Sequence, residues 1–435
     1  MERKLNPTAT DLNLTIDDIR AARAVIENRV RRTPLREAPF AVSRAPAGAK
    51  VYLKFENEQL TGSFKIRGAM NTMLSLSKEE RERGVVASSA GNHAQGVAYG
   101  AKVVGAKAHI VMPETAPIVK INATRSHGAE VILHGEVYDD AFAKALELEK
   151  ENGWIFVHPY LDRRVIAGQG TIGLEILEDL PNVDTIVVPI GGGGLISGIA
   201  LAAKALKPSI RIVGVVSDQA PMMRRLFQGE TFEAIQAERL KANGSRPKRV
   251  TTIAEGIAIK NANPIMFETH IKKLVDEIVE VSDDEVAAAI VALLEKAKTV
   301  TEGAGASGLA AVMAGKIQSS PKLKPGQVEN MAVVLCGGNI DLNVMSRVIE
   351  SGLRHDHRLA RIALVVDDLP GNLQRITTVM AEERANVLEV YHDRVSPELA
   401  LRETRIDFLV ETSNQEQIDR LHKALRAQGF RVLGR

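Results

Sequence analysis

A single cysteine, Cys336, among 435 residues cannot close an internal disulfide, so a reducing compartment is the simpler setting. Aromatic residues make up 4% of the chain, with Trp154 the one tryptophan, too little for a surface that stacks nucleic-acid bases. Charge of one sign is not in excess either. The 56 Lys and Arg against 54 Asp and Glu leave +2, which speaks against electrostatic binding of nucleic acid. No apolar run approaches the ~18 residues of a membrane span, and Met1–Pro7 is polar, without the apolar stretch of a signal peptide. The expectation is a soluble, cytoplasmic protein with no nucleic-acid or membrane partner. Core material is plentiful: 45% of residues are hydrophobic and 25% charged. At ~150 residues per domain the length suggests about three structural units.

The first element is a helix. Thr15 with Asp18 makes a capping signal, and Ile19, Ala22, Ile26 and Val30 then share a face. From residue 51 to about 216, short apolar runs alternate with amphipathic stretches. Val51–Phe55, Val85–Ala87, His109–Met112, Val131–Leu133, Ile155–Val157, Thr185–Ile190 and Arg211–Val216 read as strands. Asp139–Glu151 and Leu195–Leu206 read as helices. The strands carry continuous Val and Ile, as strands buried on both faces do. The βαβα rhythm therefore predicts an α/β fold of doubly wound, mostly parallel sheets. Residues 228–250 read as a polar, basic loop, and Met331–Cys336 as one more buried strand. Residues 353–360 are dense in His and Arg and read as a linker. Beyond it, Arg361–Val366, Val387–His392, Arg405–Glu411 and Phe430–Leu433 read as strands. Ile376 and Met380, then Leu421 and Leu425, mark two helices among them. That βαββαβ order is a separate ferredoxin-like unit over 361–435.

Three clusters carry chemistry. Gly191–Gly194 follow a strand and open a helix, where converging N–H groups suit a phosphate or carboxylate. The bland reading is a tight turn, for which fewer glycines would do. Neither a dinucleotide fingerprint nor a Walker loop is present, so a nucleotide is disfavoured. Ser88-Ser89-Ala90-Gly91-Asn92-His93 lies between a strand and a helix. It reads either as a carboxylate seat or as an ordinary N-cap beside a solvated histidine. Lys65, amid Phe64, Ile66 and the stripe Met70, Met73 and Leu74, is either a desolvated amine or a plain surface lysine.

Together these segments resemble the β-family, fold type II, of pyridoxal-phosphate enzymes, and among them the threonine dehydratases (threonine ammonia-lyases). Thr61-Gly62-Ser63-Phe64-Lys65-Ile66-Arg67-Gly68-Ala69 is similar to the coenzyme-lysine motif of that family, and Ser89–Gly96 to its substrate loop. Gly191–Leu195 resembles its phosphate cradle and Cys336-Gly337-Gly338-Asn339 its pyridine-nitrogen site. The likeness runs from about residue 15 to 355, with the motifs in family order. It implies a catalytic region over 1–352, with a smaller lobe of about 55–155 inserted in a larger one. By this resemblance Lys65 binds pyridoxal 5'-phosphate covalently and acts as the catalytic base. Phe64 packs on the ring, and Asn92 bonds its 3-hydroxyl. Gly191, Gly192, Gly193, Gly194 and Leu195 hold the phosphate, and Cys336 faces the ring nitrogen. Ser89, Asn92 and His93 hold the substrate carboxylate.

A neutral thiol is a weak donor and cannot keep the ring nitrogen protonated as a carboxylate does, which favours elimination over transamination. The implied reaction takes L-threonine to 2-oxobutanoate and ammonia, with side activity on L-serine. The related serine racemases place a serine where Ala90 stands, and alanine has no proton to give to the opposite face. They also carry a metal-ligating carboxylate just after a Gly-Val pair. Here Gly214-Val215 is followed by Val216 and Ser217, so no metal site is expected. Glu302 lies in a family motif without an assigned role. Asp367-Asp368-Leu369-Pro370-Gly371-Asn372-Leu373 is similar to the ligand loop of ACT regulatory domains. By that likeness Asp367, Asp368, Pro370, Gly371, Asn372 and Leu373 would seat an amino-acid effector, isoleucine or valine in a biosynthetic setting. The bland alternative is a capped turn in a dimerisation module. The family implies a homo-oligomer, dimer or tetramer. Competing readings are a dehydratase for L-serine or 3-hydroxyaspartate, a β-replacement enzyme, and a non-catalytic amino-acid sensor.

Overall fold

The computed structural model describes residues 12–42, 45–46, 48–243, 251–259, 262–324, 326–395 and 398–433. The polar Met1–Pro7 segment lies outside them. The chain forms two compact units, one ending at Val344 and the other beginning at Met345.

Among the described residues, fourteen strands build three sheets. Along the chain they are β1 (Leu35–Glu37), β2 (Lys50–Lys54), β3 (Val85–Ser88), β4 (Ala108–Met112), β5 (Glu130–Leu133), β6 (Ile155–Phe156) and β7 (Thr185–Pro189). There follow β8 (Arg211–Ser217), β9 (Glu277–Val281), β10 (Asn330–Val334), β11 (Leu359–Asp367), β12 (Asn386–Asp393), β13 (Glu403–Glu411) and β14 (Arg431–Leu433). The larger sheet runs β1-β2-β10-β7-β8-β9 and is parallel except for β1. The smaller, β5-β4-β3-β6, is wholly parallel and lies in sequence between β2 and β7. Every residue of β3, β4, β7, β8 and β10 is buried, which is why their sequences show apolar runs without alternation. Helix Ile16–Ile26 starts on the expected capping box of Thr15 and Asp18 and buries Ile19, Ala22 and Ile26.

Helix Lys65–Leu74 is fixed by a buried charge cluster. Arg67 bonds both oxygens of Glu56 at 2.8 Å and both oxygens of Glu175 at 2.7 and 2.9 Å. Lys54 gives its ammonium to Glu175 at 2.6 Å and to the Thr33 carbonyl at 2.7 Å. Two cations and two anions thus balance in the interior, tying β2, the 65–74 helix and helix Arg163–Asp179 together. Sequence reasoning assigned none of these four a role.

Two expectations need correction. The 228–250 segment is not all loop, since helix Phe232–Asn243 occupies half of it, while 244–250 lie outside the described residues. The 353–360 linker is mostly ordered structure. Helix Leu342–His355 runs into it and β11 begins at Leu359. The basic residues that suggested a linker include Arg354 and His355, the last turn of that helix, where cations complement its negative end.

The C-terminal unit carries an antiparallel sheet, β12-β13-β11-β14, with helices Asn372–Glu382 and Gln415–Ala427 in the predicted βαββαβ order. Its core joins Leu364, Ile376, Met380, Phe408, Leu421 and Leu425, all with no exposed surface. At ~1.5–3 kcal/mol per fully buried large apolar side chain, that core is its main source of stability.

Candidate active site

All four motifs leave the carboxyl ends of parallel strands, where open α/β sheets form their ligand crevices. The 55–65 segment follows β2, Ser89–His93 follows β3, Gly191–Gly194 follows β7, and Cys336–Asn339 follows β10. Because β10 lies between β2 and β7, the first and last motifs are neighbours in space despite their distance along the chain. They zip together. Phe64 N donates to the Cys336 carbonyl at 3.0 Å, Gly338 N to the Gly62 carbonyl at 2.8 Å, and Ser63 bridges Gly337.

Lys65 opens its helix with its ammonium 5.3 Å from the centre of the Phe64 ring. The Nζ atom donates to the Pro159 carbonyl at 2.9 Å. Burial lowers its pKa to about 8, against the pull of Cys336 and Glu302, so a useful fraction of the amine is free base near neutrality. Lys65 is half-buried with its ammonium on a backbone carbonyl, which favours the desolvated-amine reading over a plain surface lysine. Buried Cys336 has its thiol pushed up by burial first and by Glu302 second, so it is uncharged.

Gly193 has φ +94°, a conformation glycine tolerates, and caps helix Gly194–Leu206 without any side-chain bond to the first-turn N–H groups. Close packing also demands glycine here. A Cβ on Gly192 would lie 2.3 Å from the Tyr160 ring, and one on Gly194 3.0 Å from the Tyr160 Cβ. The turn explains one glycine; the rest bring bare backbone to a helix N-terminus. Leu195 is buried, so what it can offer a phosphate is its N–H. A reactive amine, an uncapped helix start and a neutral thiol on neighbouring loops fit a pyridoxal-phosphate ligand.

Asn92 and His93 begin helix Asn92–Val104, whose first N–H groups have no acceptor within the helix. Ser89 Oγ accepts from Gly91 N at 3.1 Å, turning the loop toward that helix start. The Asn92 side chain donates to Glu302 at 2.7 Å and accepts from Asn339 at 2.7 Å. Burial raises the Glu302 carboxyl to about 7, with the Asn92 bond opposing. His93 is buried, not solvated. Its Nε2 lies 2.8 Å from the Val157 carbonyl, and burial, with Lys65 adding to it, drives its pKa down to about 3.

Residues His158–Tyr160 escaped the sequence reading, although an aromatic cluster before the 163–179 helix was visible. His158 Nδ1 accepts from the N–H groups of Tyr160 and Leu161 at 3.2 and 2.9 Å. That turn delivers the Pro159 carbonyl to Lys65 and the Tyr160 ring to the glycines.

In the C-terminal unit, Asp367 ends β11 and Asn372 opens the next helix, with Gly371 at φ +93° and no side-chain cap. The Asp368 carboxylate already accepts from Arg394 at 3.0 Å, and Asn372 Nδ2 donates to the Asp367 carbonyl at 2.8 Å. Pro370 and Leu373 complete this exposed loop.

This geometry fits a coenzyme-dependent α/β enzyme. The pyridoxal-phosphate dependent enzyme family matches residues 26–337, and the chain belongs to it. It is 45% identical over 420 residues to the L-threonine ammonia-lyase of Thermotoga maritima, covering 96% of this chain and 99% of that protein. A catabolic L-threonine dehydratase of Staphylococcus aureus is 46% identical over 340 residues, 78% of this chain and 93% of its own. Among solved structures, the processed form of threonine deaminase isoform 2 from Solanum lycopersicum superposes with a TM-score of 0.67 at 33% identity. That match covers 80% of this chain and 90% of the other. Among the described residues no helix is long and apolar enough to cross a membrane.

Proposed function

We infer that this chain is a pyridoxal-5'-phosphate-dependent L-threonine ammonia-lyase, converting L-threonine to 2-oxobutanoate and ammonia with side activity on L-serine. One observation carries the reading: the Lys65 amine, lowered to about 8, lies beside Phe64 and the neutral thiol of Cys336 in a chain of this family. When bound, the coenzyme supplies the electron sink for the pair left at Cα. The backbone N–H groups of Gly191–Gly194 and Leu195 would hold its phosphate. Asn92 would bond its ring oxygen and Phe64 would pack against the ring. Ser89 and the helix-start N–H groups of Asn92 and His93 hold the substrate carboxylate. The Lys65 amine removes the α-proton as general base. Cys336 would bring no charge to the ring nitrogen, so the coenzyme would be a modest electron sink, favouring departure of the β-hydroxyl as water, with one added proton, over reprotonation at Cα. Ala90 gives no proton to the opposite face, which keeps racemisation low.

The C-terminal unit is proposed as an ACT-like regulatory domain binding an amino-acid effector at Asp367, Asp368 and Pro370–Leu373. Its βαββαβ order and the uncapped helix start at Asn372 support that reading. The working form is proposed as a cytoplasmic homo-oligomer, dimer or tetramer.

The test is chemical. Borohydride treatment of coenzyme-loaded protein followed by peptide mapping should label Lys65, and Lys65→Ala should lose both the visible absorption band and turnover. Keto-acid release should favour threonine over serine and 3-hydroxyaspartate. A strong preference for 3-hydroxyaspartate overturns the substrate assignment.

A further inference from the structure

The side-chain amide of Asn92 is held at both ends. Its Nδ2 donates to Glu302 Oε1 at 2.7 Å, and its Oδ1 accepts from Asn339 Nδ2, also at 2.7 Å. Asn339 Nδ2 donates in addition to the Thr61 carbonyl at 2.8 Å, which uses both of its hydrogens. The two ends of an amide are alike in shape, so its partners decide which way round it lies. A backbone carbonyl can only accept. Thr61 therefore fixes the direction of Asn339, and Asn339 fixes that of Asn92. One Asn92 hydrogen goes to Glu302 and one remains.

The surroundings are built for this arrangement. Gly338 N bonds the Gly62 carbonyl at 2.8 Å and Ser63 bridges Gly337, which keeps Asn339 over Thr61. A Cβ on Gly62 would come within 2.4 Å of Asn339 Oδ1, and one on Gly337 within 2.5 Å of Glu302 Oε1. Glu302 N donates to the Gly337 carbonyl at 3.0 Å, locking the carboxyl to the same loop.

We propose that Asn339 is a positioning residue: referenced to the Thr61 carbonyl, it sets the polarity of the Asn92 amide so that the remaining N–H meets the coenzyme's ring oxygen. The inference rests on the reading of Asn92 as a coenzyme ligand. A donor at that oxygen stabilises its anionic form and the visible-absorbing state of the lysine-linked coenzyme; a lone pair there does the reverse.

The decisive variant is isosteric. Asn339→Asp keeps the shape and replaces the donor by an acceptor, so the Asn92 amide turns over and points its oxygen at the ring. In the loaded protein the visible band should fall in favour of the near-ultraviolet one. Coenzyme release should quicken roughly tenfold or more, the scale of one reversed hydrogen bond, and kcat should drop more than KM changes. Asn339→Ala removes the donor without reversing the amide and should do less. Glu302→Gln keeps an acceptor and should leave the band near wild type. A packing role predicts the opposite order, with Ala worse than Asp. A folded Asp variant with the wild-type band and release rate overturns the proposal; if that variant does not fold, a wild-type band in Asn339→Ala overturns it. Failure of the underlying reading looks different, because Asn92→Ala would then leave the band unchanged.

Discussion

His93 places its ring Nε2 2.8 Å from the carbonyl oxygen of Val157. Because that oxygen can only accept, Nε2 carries the hydrogen and Nδ1 is a buried lone pair without a partner. With its pKa driven down to about 3, the ring stays neutral at working pH and cannot hold a carboxylate. His93→Gln keeps a donor for Val157, and its KM for threonine should stay within about threefold of wild type, less than one hydrogen bond is worth. A rise beyond tenfold would put the ring on the substrate. His93→Leu orphans the carbonyl and should cost about 1–3 kcal/mol in urea unfolding.

Glu302 gives the coenzyme-free protein a signature in its pH dependence. Its carboxyl titrates near 7 when folded, raised first by burial, against 4.5 as its ordinary value. A raised acid binds its proton more tightly in the folded state, so its contribution is intact below 4.5 and is lost as pH climbs through 7. Between pH 5 and 7.5 the stripped protein should lose up to about 3 kcal/mol that Glu302→Gln retains. Parallel melting curves for the two proteins across that window would contradict this.

Arg67 holds two buried carboxylates, those of Glu56 and Glu175. Arg67→Met leaves Glu56 and Glu175 facing each other with only Lys54 as counter-ion and should destabilise by about 3–5 kcal/mol. Arg67→Lys, unable to bond both carboxylates through a fork, should fall between. Thermal unfolding measures both. A Met variant within 1 kcal/mol of wild type would show that the cluster is not what fixes the lysine helix.

A chain ending at Arg358 stops one residue short of β11 and removes the whole ferredoxin-like sheet while keeping helix Leu342–His355. Turnover of threonine should persist, and any rate change produced by isoleucine or valine should vanish. A response that survives truncation places the effector elsewhere.

The parallel strands were legible because β7 and β8 are buried on both faces and so spell Thr-Ile-Val-Val-Pro and Arg-Ile-Val-Gly-Val-Val-Ser. Strand β9, Glu-Ile-Val-Glu-Val at a sheet edge and only partly buried, carries no such run and was not foreseen. The candidate site was readable motif by motif, since each is a contiguous loop at a strand end. The bonds between motifs were not. Asn92 and Asn339 are 247 residues apart, and no periodicity connects them. The Arg67 cluster was hidden for the same reason: its four charges come from three separate stretches, Lys54 with Glu56, Arg67, and Glu175, each unremarkable alone.

The position of β10 has a consequence for biosynthesis. Met331 pairs with both Val51 and Thr185, so the larger sheet stays split until most of the chain has left the ribosome. At the usual ~5–20 residues per second, the unpaired edge of β2 waits for tens of seconds. The smaller sheet, whose strands all lie between Val85 and Phe156, can close long before. Nascent chains stalled before residue 330 should therefore be the species that chaperones hold.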